Sequence, residues 1–371
     1  MPVFFSRSTD RISIKFYTNY FHPGLTFTYP VVSIVLRRFL MKKIMACTIA
    51  LVLLLSSLGV GCGSDSDLTH VTLSEVAHSI FYAPQYAAIE LDYFEEEGID
   101  LTLINAGGAD KVMTSLISGD AHIGFMGSEA SIYVYAEGAT DYVINFAQLT
   151  QRAGNFLVSR NPVENFAWAD LTGTTVLGGR KGGMPQMVFE YILKKHGLDP
   201  DTDLTIDQSI SFGLTAAAFT GGNADYTVEF EPYATLLEQE GNGYVVASLG
   251  EASGYVPYTA YSAQKSYLES HPDIIQGFTN AIQKGLDYVN THTAQEIAAV
   301  IAPQFPETDE ATIAVIVERY LAQDTWKADT VFEENSFDLL QNILAEAGEL
   351  PAKVPYADLV TTEFSLIAAE K

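Results

Sequence analysis

The chain is poor in cysteine, with two in 371 residues, Cys47 and Cys62. Cys47 lies inside an apolar segment that we expect to be removed, so the remaining chain has Cys62 alone and no internal disulfide. The sequence also lacks a cysteine cluster, a His-Glu-x-x-His motif and a Gly-x-Ser-x-Gly motif. Zinc, thiol and serine-nucleophile chemistry therefore have no candidate groups, and we expect no metal, no cofactor and no catalytic residue.

Basic residues are scarce as well, with 20 Lys and Arg against 46 Asp and Glu and a formal net charge of −26. Seven of the basic residues fall within residues 1–62, so the rest of the chain is still more acidic. Such a body repels phosphate backbones, and we expect no nucleic-acid binding. A soluble, self-repelling surface accounts equally well for the acidity.

No apolar run is long enough to span a bilayer, which takes about 20 residues. The longest covers residues 44–58, follows the basic Met41-Lys42-Lys43 and is followed closely by Cys62. The ending Leu58-Gly59-Val60-Gly61-Cys62 resembles a bacterial lipobox. We therefore predict a lipoprotein signal peptide, with a plain secretory signal as the alternative.

This interpretation divides the N-terminal region into three parts. Residues 41–61 form the signal peptide, Cys62 is the lipidated residue, and residues 62–68 are anchor and linker. Residues 1–40 precede a complete signal, so we interpret them as a mis-assigned extension outside the fold.

Strand-like and helix-like stretches alternate along the rest of the chain, as in an α/β fold with mostly parallel sheets. A set of turn residues recurs in the same order about one hundred residues later. Gly119-Asp120-Ala121-His122 is echoed by Gly222-Asn223-Ala224-Asp225, and Glu137-Gly138 by Glu240-Gly241, both with an offset of 103 residues. The repetition predicts two equivalent lobes with a cleft between them, unless it reflects only the use of Gly and Asp at turns.

The lobe boundaries are predicted from two extended stretches. The first, around residues 151–154, leads out of lobe I, and the second, around residues 256–262, leads back. Lobe I then comprises residues 69–152 and 257–371, and lobe II residues 153–256. The helical patterns after residue 262 are expected to pack on lobe I.

Two segments of lobe I carry a family resemblance, Phe81-Tyr82-Ala83-Pro84-Gln85-Tyr86-Ala87-Ala88 and Tyr93-Phe94-Glu95-Glu96-Glu97-Gly98-Ile99-Asp100. With Phe230-Glu231-Pro232 in lobe II, they resemble the solute-binding proteins of the nitrate/taurine/sulfonate importer family, in the branch related to thiamine-pyrimidine synthase. One departure is His122, where the family's Gly-x-Ala-Asp turn has an acid.

The resemblance implies a type II periplasmic-binding fold, two lobes of mostly parallel sheet and flanking helices hinged by two crossing strands. It implies a non-enzymatic, monomeric protein outside the cytoplasm, periplasmic or at the cell surface. The lipobox-like ending at Cys62 adds the expectation of a lipid anchor at the extracytoplasmic face of the plasma membrane. Its partners would be a small-molecule ligand, an ABC permease and the permease's ATPase. A pyrimidine-synthase-like enzyme and an anchored sensor without an importer are the alternatives from other classes.

Candidate ligand contacts lie where strands of lobe I end, because open α/β sheets bind ligands there. Phe81 and Tyr82 offer aromatic faces beside the helix that contains Gln85, and Gly127 and Ser128 stand before the next helix. The rings could instead be core residues, and Ser128 could serve only as an N-cap.

A glycine-rich turn before Pro185 contains Arg180, Lys181 and Gly182, which suit an anionic or polar ligand group unless the turn is simply solvated. Arg152, on the link between the lobes, is a weaker candidate.

Glu229 and Glu231 alternate along a strand and are expected to face the same side. Carboxylates in a cleft suit an amino or amidine donor. Together with the aromatic residues they favour a thiamine-type pyrimidine or similar heterocycle, with nitrate, taurine or an alkanesulfonate as the alternative.

The lipobox-like ending generates a first prediction. The substitution Cys62→Ala removes the thiol that would be lipidated, so we expect the protein to be released from membranes or to remain unprocessed. Membrane fractionation and the mass of the processed chain measure this. A variant that fractionates and is processed like the wild type would show that Cys62 is not the anchor.

Overall fold

The computed structural model describes residues 68–179, 181–210, 213–350 and 352–371. The predicted signal peptide and Cys62 lie outside these residues. Within the described part of the chain, no helix is both long enough and apolar enough to cross a membrane.

Ten strands form two sheets of five strands each. The strands are β1 (Thr69–Glu75), β2 (Ile99–Asn105), β3 (Ile123–Met126), β4 (Val143–Thr150), β5 (Asn155–Ser159), β6 (Thr175–Leu177), β7 (Thr205–Asp207), β8 (Tyr226–Phe230), β9 (Tyr244–Ser248) and β10 (Thr259–Gln264). The order is β2-β1-β3-β10-β4 in the first sheet and β7-β6-β8-β5-β9 in the second. In each sheet the first three strands are parallel and the fourth is antiparallel to both neighbours.

The two sheets have the same topology, as the internal repeat predicts. β3 begins at Ile123 and β8 at Tyr226, 103 residues later, and each takes the third place in its sheet. The one reversed strand in each sheet, β10 or β5, follows a crossing from the other lobe. The predicted two-lobed α/β architecture is therefore confirmed.

Helices flank both sheets. They are α1 (Ala83–Glu90), α2 (Tyr93–Glu96), α3 (Ala109–Ser118), α4 (Glu129–Ala136), α5 (Met184–Lys195), α6 (Thr215–Gly221), α7 (Tyr233–Gln239), α8 (Leu249–Ser253), α9 (Lys265–Ser270), α10 (Pro272–Thr291), α11 (Ala294–Ile301), α12 (Glu310–Ala322), α13 (Glu334–Glu346), α14 (Tyr356–Leu359) and α15 (Glu363–Ala369), with short 3₁₀ helices at Ile80–Tyr82, Trp168–Leu171 and Ala302–Gln304.

The long helix α10, which follows the return of the chain to the first lobe, packs firmly against that lobe. Phe278, Ile282 and Leu286 lie on one helical face at i, i+4 and i+8, and all three are buried. At Gly285 the helix approaches α1 so closely that an added Cβ would lie 2.1 Å from the carbonyl oxygen of Pro84. Glycine is therefore needed there for the two helices to pack.

The two crossings between the sheets run side by side. The chain leaves β4 at Thr150 and enters β5 at Asn155, and it returns between α8 and β10. The N–H of Val256 donates to the carbonyl of Gln151 at 2.8 Å, and the hydroxyls of Thr150 and Thr259 are 2.6 Å apart. These bonds join the two hinge segments to each other.

Helix α12 contacts both lobes. It packs against the 3₁₀ helix Ile80–Tyr82 of the first lobe. In the second lobe, its residue Arg319 donates to Glu231 at 2.7 Å and to Glu238 at 2.8 Å. Tyr320, the next residue, donates its hydroxyl to the carbonyl of Gly154 in the first crossing at 2.9 Å. The C-terminal helices therefore pack on more than the first lobe.

His122 and Asp225 occupy equivalent places, each one residue before the third strand of its sheet. The backbone N–H of Thr175 donates to the Asp225 carboxylate at 2.9 Å, and the N–H of Thr72 donates to Nδ1 of His122 at 2.9 Å. The His122 imidazole thus accepts the backbone hydrogen bond that the Asp225 carboxylate accepts in the second lobe. It can do so only while Nδ1 is unprotonated.

This difference predicts that lobe I is the acid-sensitive lobe. Burial lowers the pKa of His122, and the nearby His70 and His271 lower it further. The unfolded chain therefore takes up the proton first, and stability is lost as pH falls below about 6.5. We expect His122→Asp to stabilise the protein at pH 5 by about 1 kcal/mol, the value of one hydrogen bond.

Urea unfolding at pH 5 and pH 8 measures the effect, and the gain should be smaller at pH 8. The matched variant Asp225→His should introduce the same acid sensitivity into the second lobe. Equal effects of His122→Asp at the two pH values would contradict the assignment.

Candidate functional site

A cleft of about 540 Å³ is lined by residues of both lobes. This volume lies in the range of small-molecule sites, ~300–1,000 Å³. Its walls begin where β1, β2, β3, β6 and β8 end, which is the edge at which open α/β sheets bind ligands. The lining residues are Val76, Ala77, Ser79, Tyr82, Gly107, Gly108, Ala109, Asp110, Lys111, Met113, Gly127, Glu129, Ala130, Tyr133, Val134, Gly182, Gly183, Met184, Pro185, Phe230, Tyr258 and Thr259.

Of the two predicted aromatic contacts, Tyr82 lines the cleft and Phe81 lies beneath the lining. The Phe81 ring is fully buried, with centroids 5.2 Å from Tyr82, 5.7 Å from Phe230 and 5.7 Å from Tyr258. All three of these rings line the cleft. Phe81 therefore positions the aromatic wall and does not itself form the surface.

The buried carboxylate of the cleft belongs to Glu129, the first residue of α4, which is 3% exposed. Gly127 makes room for it, because a Cβ there would lie 2.1 Å from Oε2 of Glu129. Gly127, predicted as a ligand contact, lines the cleft at this point. Its lack of a side chain determines where the carboxylate lies.

Tyrosine hydroxyls share this part of the cleft. Burial raises the pKa of Tyr82, and the charges of Glu75 and Glu129 raise it further. Burial likewise raises the pKa of Tyr258, with Tyr82 and Glu129 adding to the effect. Both phenols are therefore neutral at physiological pH and can donate or accept a hydrogen bond.

The predicted basic turn contributes backbone to the cleft. Gly182 lines it, whereas the Lys181 side chain is exposed and is not among the described lining residues. Arg180 lies outside the described residues. Lys111, at the start of α3, is the cation of the described lining, next to Asp110.

Gln85 lies in a buried network behind the cleft. Its amide donates to Glu75 at 2.8 Å and accepts from the hydroxyl of Tyr261 at 3.0 Å. Glu75 also accepts from Tyr86 at 2.8 Å and contacts His78 at 2.8 Å. The hydrogen bond to Glu75 raises the pKa of His78. In the structure, the Gln85 side chain supports the end of β1.

Ser128 and Arg152 also lie away from the described lining. The Ser128 hydroxyl is buried and does not cap α4 with its side chain. Arg152 donates to the carbonyl of Gly250 at 3.1 Å, and its guanidinium lies 4.1 Å from the centre of the Tyr255 ring.

Glu229 and Glu231 share a separate, smaller pocket of about 50 Å³ beside the cleft, so the predicted pair does come together. Each already has protein partners. Glu229 accepts from Thr215 at 2.9 Å and from Thr227 at 2.6 Å, and Glu231 pairs with Arg319 at 2.7 Å.

Three functional candidates were missed by sequence reasoning: Glu129, Tyr133 and Tyr258. Glu129 directly follows the predicted Ser128, and its place at the start of a helix was the available signal. Tyr133 lies one turn later on the same helix. Tyr258 lies in the returning crossing, and no pattern in the sequence indicates that this segment reaches the cleft.

Comparison with known proteins finds one matching family and a similar bacterial protein. The family described as NMT1/THI5 like matches residues 80–296. The Bacillus subtilis (strain 168) protein named "Putative binding protein YtlA" is 48% identical over 304 residues, which cover 82% of this chain and 91% of YtlA.

Two solved structures share the fold. The alkanesulfonate-binding protein SsuA from Xanthomonas axonopodis pv. citri, bound to MOPS, has a TM-score of 0.65 and 18% identity over 79% of this chain and 98% of its own. The ligand-binding component of an ABC-type import system from Staphylococcus aureus has a TM-score of 0.66 and 13% identity over 81% and 99%. They confirm the periplasmic-binding fold.

The buried position of Glu229 leads to a stability prediction. Burial raises its pKa to about 7, although the Thr227 and Thr215 hydroxyls oppose the shift. The folded state thus holds a proton that the unfolded state loses near pH 4.5, and stability falls as pH rises from about 4.5 to 7. We expect Glu229→Gln to remove this loss, on the order of 1–3 kcal/mol.

Thermal or urea unfolding between pH 4.5 and 8 tests this. The exposed Glu164→Gln is a control with the same change in charge. If both variants follow the wild-type pH profile, Glu229 does not titrate in this window.

Proposed function

The chain belongs to the NMT1/THI5-like family, and we propose that it is the extracytoplasmic solute-binding protein of an ABC importer. The observation that supports this best is the cleft, which both lobes line and which lies beside two adjacent crossing segments. Such a hinge allows the lobes to close around a solute. The similar Staphylococcus aureus protein is itself a component of an ABC-type import system.

We further propose that the ligand is a small heterocycle of the thiamine-pyrimidine type. Tyr82, Phe230 and Tyr258 offer aromatic faces, and Asp110 and Glu129 outnumber the single cation Lys111 in the described lining. A flat, neutral or cationic ring suits such a cleft better than a bare anion does.

A sulfonate is the second candidate, because the similar SsuA of Xanthomonas binds alkanesulfonates. In this chain Lys111 would have to neutralise the sulfonate, together with the N–H groups of the turn at Gly182 and Gly183. The nearby carboxylates weigh against this ligand.

The cellular part of the proposal follows from the N-terminal sequence. A signal peptide over residues 41–61 and a lipid on Cys62 would hold a monomer at the outer face of the plasma membrane. There it would deliver its ligand to an ABC permease and its ATPase. We propose no enzymatic activity for it.

Calorimetric titration of the processed protein tests the ligand. The panel is 4-amino-5-hydroxymethyl-2-methylpyrimidine, taurine, ethanesulfonate and nitrate, and we expect the pyrimidine to bind. A ligand at 100 times its Kd should add ~2.7 kcal/mol to the free energy of unfolding, which a thermal shift detects.

Variants connect the binding to the cleft. Tyr82→Leu should weaken pyrimidine binding about tenfold, because a stacking face is lost. Tyr244→Leu alters an exposed tyrosine on β9 and should leave the affinity unchanged. Binding of a sulfonate or nitrate alone would contradict the proposal of a heterocyclic ligand. If the protein binds none of the panel, both candidate ligand classes are wrong.

A further inference from the structure

We infer that Glu129 and Tyr258 form the specificity-determining subsite of the cleft, and that this subsite selects a ligand that presents an N–H donor beside a hydrogen-bond acceptor. This inference rests on the proposed function, because it assigns the chemistry of the same cleft. Glu129 and Tyr258 act on the ligand directly, and Gly127 makes room for the Glu129 carboxylate.

The first observation is a hydroxyl that the fold leaves without a partner. Tyr258 is 3% exposed and lines the cleft, and its hydroxyl has no hydrogen-bond partner among the residues that the structure describes. Buried polar groups are nearly always hydrogen-bonded, so an exception in a cleft wall indicates a position prepared for a ligand atom.

The second, independent observation is the space made for a carboxylate. A Cβ at Gly127 would lie 2.1 Å from Oε2 of Glu129, so a side chain there would displace the carboxylate from its present position. Glu129 stands in the first turn of α4, where the helix dipole favours a negative charge. A carboxylate has acceptor positions for about four hydrogen bonds, so a bond to a ligand is compatible with the contacts that Glu129 makes within the protein.

The two groups belong to one site. Glu129, Tyr82 and Tyr258 all line the same cleft, and the negative charge of Glu129 raises the pKa of both phenols. The rings of Tyr82 and Tyr258 both pack on Phe81, with centroid distances of 5.2 and 5.7 Å. A subsite held by this packing is rigid before the ligand arrives, which lowers the entropy cost of binding.

The chemistry of the ligand follows from the two groups. Glu129 accepts from an amino or amidinium N–H, and a neutral phenol donates to an adjacent ring nitrogen or oxygen. An amino group next to a ring nitrogen offers this pair on one edge of a flat ring. A ligand that turns an anionic group to this subsite is repelled by the carboxylate.

Calorimetry on the processed protein with two probes tests the inference. The probes are 4-amino-5-hydroxymethyl-2-methylpyrimidine and its analogue with methyl in place of the amino group. We expect the wild type to prefer the amino probe by tenfold or more. Glu129→Gln should weaken the amino probe at least tenfold and the methyl analogue less than threefold, which removes the preference.

Two further variants separate ligand recognition from a structural role. Glu137→Gln, exposed at the end of the same helix, changes the charge equally and should preserve the preference. Tyr258→Phe removes the hydroxyl and keeps the ring, so binding of the amino probe should weaken about tenfold while the Tm of the ligand-free protein stays the same or rises.

The outcomes distinguish this inference from the proposed function. If the amino probe binds and Glu129→Gln binds it as tightly as Glu137→Gln does, the subsite is wrong and the importer function stands. A lower ligand-free Tm in Tyr258→Phe with unchanged affinity would likewise overturn it. If neither probe binds the wild type and a sulfonate does, the subsite and the heterocycle proposal both fail.

Discussion

The cleft depends on the packing of one buried ring, Phe81. It contacts Tyr82 from its own 3₁₀ helix, Phe230 from the second sheet and Tyr258 from the returning crossing. Gly154, in the first crossing, must be glycine, since a Cβ there would lie 2.3 Å from the Phe81 ring. Both lobes and both crossings therefore meet at one side chain, and the wall that faces a ligand is positioned from behind by a residue that need not touch it.

Two glutamates near this aromatic cluster, Glu75 and Glu129, have different roles. Glu75 is buried behind the cleft, where Gln85, Tyr86 and His78 satisfy it, and Glu129 lines the surface. A buried carboxylate with several donors stabilises the end of a strand, whereas we propose that the carboxylate lining the cleft contacts the ligand. The same residue type thus supports the fold at one position and offers chemistry at another.

The fold itself does not choose the ligand. The alkanesulfonate-binding protein of Xanthomonas has the same architecture at 18% identity. Selectivity must therefore reside in the side chains that line the cleft, which come from the turns after the strands, from the helices that follow them and from the returning crossing. In this chain Glu129, the first residue of α4, supplies a carboxylate, and the turn before α5 supplies backbone at Gly182.

Sequence alone determined the two-lobed architecture, because the 103-residue repeat and the alternation of elements are local patterns that each lobe satisfies separately. It also located Tyr82, Gly127 and Gly182 at strand ends. Tertiary structure decided which neighbours face the cleft. The Phe81 ring packs beneath the cleft lining, and the Glu229 carboxylate accepts hydrogen bonds within its own lobe. Tyr258 reached the wall through a contact between segments far apart in the chain, which depends on how the crossings pack and leaves no periodic signal in the sequence.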